Sequence, residues 1–191
     1  NTRIVLASRP KGEPRVENFR VEQADLPPLA EGELLVRNHY LSLDPYMRGR
    51  MDDSKSYVAP QPLDKVMEGG TAGEVVESRH PDFRAGDRVV GRLGWQLYGI
   101  SNGTGLTKVD TTKVPLSAYL GCVGMPGVTA WYGLNQIIAP KAGETVVVSA
   151  ASGAVGSVVG QLAKAKGCRV VGVAGGPDKC KLVVDAFGFD A

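Results

Sequence analysis

The chain has 191 residues, 43% of them hydrophobic and 22% charged, with a formal net charge of +2. That length suits one large or two small globular domains, and the near-neutral charge excludes a strongly basic nucleic-acid or anionic-membrane binder. No apolar run reaches the length of a membrane-spanning helix, and the opening NTRIVLASRPKGEPR is too broken by charge and proline to read as a signal peptide. Cys122, Cys168 and Cys180 form an odd, scattered set, which fits free thiols in a reducing compartment better than a disulfide framework.

Residues 3 to about 118 read as mostly β. Arg3–Ala7 is a short strand, followed by breakers at Arg9–Pro14 and Pro27-Pro28. Glu33–Leu43 alternates, with Leu34 and Val36 on one face and Leu35 on the other. Gly73–Glu77, Asp87–Arg92 and Trp95–Ile100 are further strands, and the Gly-rich turns between them suggest a compact barrel or sandwich. Asn102-Gly103-Thr104 matches a glycosylation pattern but reads as a turn. Strand patterning gives way to helix around Leu116–Met125. Thr129 is placed to cap a helix whose apolar face is Ala130, Trp131, Leu134, Ile137 and Ile138, and Pro140 stops it.

Glu144–Gly175 carries the strongest pattern. Thr145–Ser149 is a β-branched strand, Gly153-Ala154-Val155-Gly156 a glycine turn, and Val155, Val158, Val159, Leu162 and Ala163 recur at helical spacing. Gly167 ends that helix and Arg169–Ala174 is a second strand. Strand, turn, helix and strand in about thirty residues make a βαβ unit. Its helix N-terminus offers unpaired N–H groups and a partial positive charge, and glycines there admit a pyrophosphate close to the backbone. The turn is an A-x-x-G-x-x-G variant, and its position between strand and helix is what gives it weight. A bare packing turn with no ligand is the competing reading.

The second strand ends at Ala174-Gly175-Gly176, without the Asp or Glu that holds a ribose 2′-hydroxyl in NAD sites, and Lys179 follows. A missing acid and a nearby cation favour NADPH, unless Lys179 is only a solvated residue of the next helix. In that helix Leu182, Val183, Ala186 and Phe187 share a face, and Gly188 ends it. A third strand is expected from Gly188–Ala191. Two strands are few for a buried parallel sheet, so further strands are expected to complete it in a longer protein.

Together these segments resemble the medium-chain dehydrogenase/reductase superfamily, and most closely its zinc-free branch of prostaglandin reductases, plant double-bond reductases and bacterial curcumin reductases. The carriers are LSLDPYMRGRM from Leu41 to Met51, EGGTAG from Glu68 to Gly73, GDRV from Gly86 to Val89, GMPGVTA from Gly124 to Ala130, and ASGAVG from Ala151 to Gly156. The resemblance covers essentially the whole chain. It implies an α/β protein: a GroES-like β-barrel catalytic domain over residues 1–120, then the N-terminal half of a Rossmann domain over 121–191, a doubly wound parallel sheet truncated in this chain. It also implies NADPH as cofactor, hydride transfer to the β-carbon of an α,β-unsaturated ketone or aldehyde, a cytoplasmic location and a homodimer. An NADPH-dependent quinone reductase and a catalytically silent NADPH-binding protein are the alternatives.

The resemblance places Tyr46 at the catalytic and substrate site, as a phenol donating to the enolate oxygen or as an aromatic lid, with Tyr57 as a second substrate contact. Cofactor contacts are expected from Pro45, Met125, Thr129, Gly153, Ala154, Val155, Gly156, Gly175 and Lys179. Arg48 and Arg50 read as structural or solvated. Zinc-dependent relatives carry Gly-His-Glu where Val66-Met67-Glu68-Gly69 stands. With Met67 in place of the histidine, and His39 and His80 isolated, no metal site is expected.

Overall fold

The computed structural model describes residues 1–55 and 58–191. They form two compact units, Asn1–Ser117 and Ala118–Ala191. The α/β class holds: a GroES-like antiparallel β unit comes first and a Rossmann-type parallel βαβ unit second.

In the first unit, β1 (Thr2–Leu6) and β2 (Phe19–Gln23) make an antiparallel hairpin. Five further strands, β3 (Leu34–Leu41), β4 (Thr71–Ser78), β5 (Arg88–Gly91), β6 (Tyr98–Ser101) and β7 (Thr107–Lys108), form an antiparallel sheet in the order β6-β3-β4-β5-β7. The period-2 alternation in β3 does its expected work. Leu34 and Val36 are fully buried with Val75 and Val89, under Phe83, Leu93 and Leu106. The opposite face is charged, and Arg88 pairs with Glu74 across β4 and β5 at 2.6 Å.

β2 and β7 have no counterpart in the expected pattern. β2 reads FRVEQ, too charged to stand out, and it is held by register with β1 and by an Arg3–Glu22 ion pair at 2.8 Å. The strand expected from Trp95 begins only at Tyr98. Trp95–Leu97 instead turns toward β1, where Ile4 N–H donates to Trp95 O and Leu97 N–H to Thr2 O. A second core packs Leu6, Met47, Met51 and Met67 against Phe19, Tyr46 and Trp95. It fixes the short helix α1 (Tyr46–Arg50) to the hairpin.

In the second unit, β8 (Thr145–Ser149) and β9 (Arg169–Val173) pair in parallel and in register. α2 (Met125–Tyr132) precedes them, α3 (Gly156–Ala165) crosses between them and α4 (Pro177–Asp185) follows. Four helical expectations need correction. α2 starts four residues before Thr129, behind Gly124, because Pro126 is tolerated in a first turn. Thr129 therefore lies inside the helix, its hydroxyl donating to Met125 O at 2.8 Å, and is not a cap.

Beyond Tyr132 the helix widens to a π-turn over Gly133–Ile138, which changes its phase. Ala130 and Leu134 stay buried, whereas Trp131 (50% exposed), Ile137 (72%) and Ile138 (59%) face outward. Third, Val155 precedes α3 and is exposed. The buried face of α3 is Gly156, Gly160 and Ala163, with Val159 and Leu162 beside them. On α4, similarly, Val183 is buried and Leu182 and Ala186 are exposed.

The core of this unit joins Val146, Val148 and Val170 of the strands to Leu134, Ala151, Ala163, Val183 and Phe189. Phe189 depends on Gly160, because a Cβ there would stand 1.8 Å from the phenyl ring. The expected third strand begins to form: Asp190 N–H donates to Val170 O at 2.8 Å and Gly172 N–H to Ala191 O at 2.7 Å, along the β9 edge away from β8. Lys164 binds the Asp190 carboxylate at 2.8 Å and holds that segment in place.

Candidate functional site

The expected site residues fall into two sets, one in each unit. In the second unit the turn between β8 and α3 lies at the C-terminal end of the sheet, with Ala151 N–H donating to Val173 O at the end of β9. Gly156 permits this turn, since a Cβ there would meet Ala150 O at 2.4 Å. Gly153, Ala154 and Val155 are exposed. The start of α3 carries no side-chain cap, and the amides of Ala154, Val155 and Gly156 make no backbone hydrogen bond among the described residues. Orphan donors at an accessible helix N-terminus are what a pyrophosphate requires, so these residues fit a dinucleotide.

The second turn opens at the same end of the sheet. Open space adjoins Gly175 and Gly176, and Lys179 is exposed in the first turn of α4. Met125 is 60% exposed at the start of α2, one turn from Thr129.

In the first unit, Asp44-Pro45 leads into α1, and Pro45 is exposed as its N-terminal flank. Tyr46 is half-buried. Met47 and Met51, at i,i+4 spacing, bury one side of the helix in the second core, against which Tyr46 also packs. Along that side an apolar cavity of about 410 Å³ is lined by Phe19, Leu43, Pro45, Met47, Met51 and Trp95, among others.

Burial pushes the Tyr46 phenol up from its usual range. Arg92 opposes this, while Glu68 and Asp44 add to it and Arg50 opposes it further. The hydroxyl makes no hydrogen bond among the described residues. Tyr57 lies outside the described residues.

Arg48 and Arg50 hold α1 down. Arg48 Nε donates to Gly12 O at 2.9 Å and its guanidinium pairs with Asp52 at 2.7 Å. Arg50 makes a two-pronged contact with Glu68, at 2.5 and 2.9 Å, with both side chains mostly shielded from solvent. Gln61, 5% exposed, ties the adjoining loop: its amide donates to Val66 O at 3.0 Å and its carbonyl accepts from Glu68 N–H at 3.2 Å.

Met67 is fully buried between Leu6, Met47 and Met51. His39 lies 3.6 Å from Glu74, and His80 packs edge-on against Phe83. Among the described residues, no three His, Cys, Asp or Glu side chains converge to hold a metal ion.

Sequence reading missed Arg92, whose guanidinium carbon lies 5.9 Å from the centre of the Tyr46 ring. The two residues are far apart in sequence, and no local spacing marks them. The Arg50–Glu68 contact left a weak trace, an opposite-charge pair within two recognisable motifs.

A sequence family described as the N-terminal domain of oxidoreductase matches residues 2–109. The chain belongs to this family. Its likeness to the oxidoreductases extends beyond the matched domain. The NADPH-dependent curcumin reductase of Escherichia coli (strain K12) is 55% identical over 190 residues, which is 100% of this chain and 55% of that protein. The 2-alkenal reductase (NADP(+)-dependent) of Nicotiana tabacum is 43% identical over 195 residues, again 100% of this chain and 57% of that protein. The crystal structure of CurA in complex with NADPH from Vibrio vulnificus superimposes with a TM-score of 0.93 at 52% identity, covering 100% of this chain and 56% of that one. The chain thus spans about half the length of the curated relatives it matches. Its resemblance to the medium-chain dehydrogenase/reductase superfamily, in the branch of the curcumin, prostaglandin and alkenal reductases, holds.

Proposed function

We propose that the protein to which these residues belong is an NADPH-dependent reductase of the C=C bond of α,β-unsaturated ketones and aldehydes, working without a metal. The observation that carries this reading is the 55% identity across the whole chain to an NADPH-dependent curcumin reductase, with an uncapped, glycine-lined helix N-terminus where a dinucleotide would lie.

In this reading residues 1–120 are the catalytic domain and 121–191 the first half of the cofactor domain. The free amides of Ala154, Val155 and Gly156 hold the pyrophosphate. Gly175 leaves room for the adenosine ribose, and Lys179 pairs with its 2′-phosphate. Pro45, Met125 and Thr129 are further contacts with the cofactor. Bound NADPH supplies a hydride to the β-carbon of the substrate.

As that C–H bond forms, the π electrons move toward the carbonyl oxygen. Tyr46 O–H donates a hydrogen bond to the resulting enolate oxygen, and protonation at the α-carbon completes the reduction. Tyr57 is a second substrate contact. Met67 supports metal independence, because a buried thioether stands where a ligand histidine would be required. Chelators are expected to leave turnover unchanged, and stoichiometric zinc in the active enzyme would overturn this part. A cytoplasmic homodimer completes the reading, with the three free thiols fitting a reducing compartment.

The test is NADPH oxidation by the full-length protein with a simple enone, an alkenal, a quinone and no acceptor, with product analysis. Saturation of the C=C bond is expected. Turnover confined to quinones would select the alternative reductase, and no turnover with tight NADPH binding would select a silent binder.

A further inference from the structure

Tyr46 stands among four charged groups that come from four parts of the chain: Arg92 just after β5, Glu68 in the loop before β4, Asp44 before α1, and Arg50 one turn along α1. Three of them are engaged. Arg50 and Glu68 hold one another through two hydrogen bonds, and Asp44 accepts from the Ser42 hydroxyl at 2.9 Å. Arg92 differs. Its side chain is exposed, it makes no ion pair among the described residues, and its guanidinium lies over the Tyr46 ring, 5.9 Å from the centroid.

We propose that Arg92 is a positioning residue for Tyr46, a cation over the phenol ring that holds its orientation and strengthens its O–H as a donor to an oxygen gaining negative charge. This rests on the reading of Tyr46 as the donor to the enolate. The physical reason lies in the balance of charges. Glu68 and Asp44 both disfavour negative charge near the hydroxyl, and so does burial of the ring. Arg50 offsets Glu68, to which it is bound. Arg92 is the largest opposing influence, and without it two carboxylates act on the phenol against a single cation. The attraction between a guanidinium and an aromatic face at this distance also limits ring rotation.

The experiment uses the full-length enzyme with Arg92→Leu, Arg92→Lys, Tyr46→Phe and the double variant Arg92→Leu/Tyr46→Phe. It reads kcat with a saturating enone, KM for NADPH, and a tyrosinate absorbance titration in which the step missing from Tyr46→Phe identifies Tyr46. Arg92→Leu is expected to lower kcat about tenfold, to leave KM for NADPH unchanged and to move the Tyr46 step to higher pH. Arg92→Lys should restore much of both, and Arg92→Leu should have no further effect once the hydroxyl is gone. A slowed Tyr46→Phe combined with an unmoved Tyr46 step, or with an equal Arg92→Leu loss in both backgrounds, would overturn the proposal alone. A wild-type kcat in Tyr46→Phe would overturn the donor role beneath it.

Discussion

Tyr46 and Lys179 are single side chains on which the chemistry of the proposed reductase turns, and each can be tested by removing one functional group. Tyr46→Phe keeps the ring that packs beside Met47 and Met67 and removes only the hydroxyl. If that hydroxyl stabilises the enolate, kcat falls by about 100-fold or more while NADPH affinity holds. An unchanged kcat would reduce Tyr46 to a packing role. Lys179 is exposed and makes no ion pair among the described residues, so nothing in the fold competes with a phosphate for it. Lys179→Ala should narrow the preference for NADPH over NADH by about 10- to 150-fold, the range of a charge-assisted contact. Equilibrium binding of the two cofactors decides it, and full retention of the preference would return Lys179 to the solvent.

At the level of elements, the tightest constraint is where α3 meets the end of the chain. Alanine is ordinarily better than glycine in a helix interior by about 1 kcal/mol. At position 160 the sign should reverse. A Cβ would stand 1.8 Å from the Phe189 ring, and that ring is itself wedged against Gly172. Overpacking of this kind costs about 1–3 kcal/mol. Gly160→Ala in the full-length protein is expected to lower the urea midpoint with an unchanged denaturant slope. A midpoint at or above wild type would mean that Phe189 has room to move. α1 shows the complementary case. It has only five residues and is too short to be stable by itself, so its place depends on Met47 and Met51 in the core and on Arg50 at Glu68.

Over the whole molecule, the two units differ in how complete their cores are. The first packs its five-stranded sheet over a core of Leu34, Val36, Val75 and Val89. The second pairs β8 with β9 on one edge only, while the far edge of β9 meets Asp190 and Ala191. Among the described residues the other edge of β8 has no partner strand, and Val147 (66% exposed) and Val173 (56%) leave one sheet face open, along with Ile137 and Ile138 after α2. An open parallel edge beside exposed apolar residues invites pairing with other chains. Residues 1–191 expressed alone are therefore expected to aggregate or to lack enone-dependent NADPH oxidation, whereas a chain carrying more strands folds. Sedimentation and thermal unfolding test this, and a soluble monomer with one cooperative transition and normal turnover would refute it.

Local chemistry by itself determined the βαβ unit, the glycine turn at Gly153–Gly156 and the alternation that buries Leu34 and Val36. Each depends on residues within a few positions of one another, where backbone sterics and a period of two or 3.6 leave a readable trace. The family, too, was legible, through Asp44–Met51 and Gly124–Ala130. Other features are decided by tertiary contacts. β2 is a strand because β1 lies beside it, and its charged sequence FRVEQ does not say so. The π-turn after Tyr132 shifts the phase of Ile137 and Ile138, which face outward, against an apolar spacing that fits a regular helix. Arg92 meets Tyr46 only because β5 delivers it across the unit. Such pairings depend on which surfaces are left to bury after the local elements have formed, and packing over long sequence separations leaves no periodic mark in the chain.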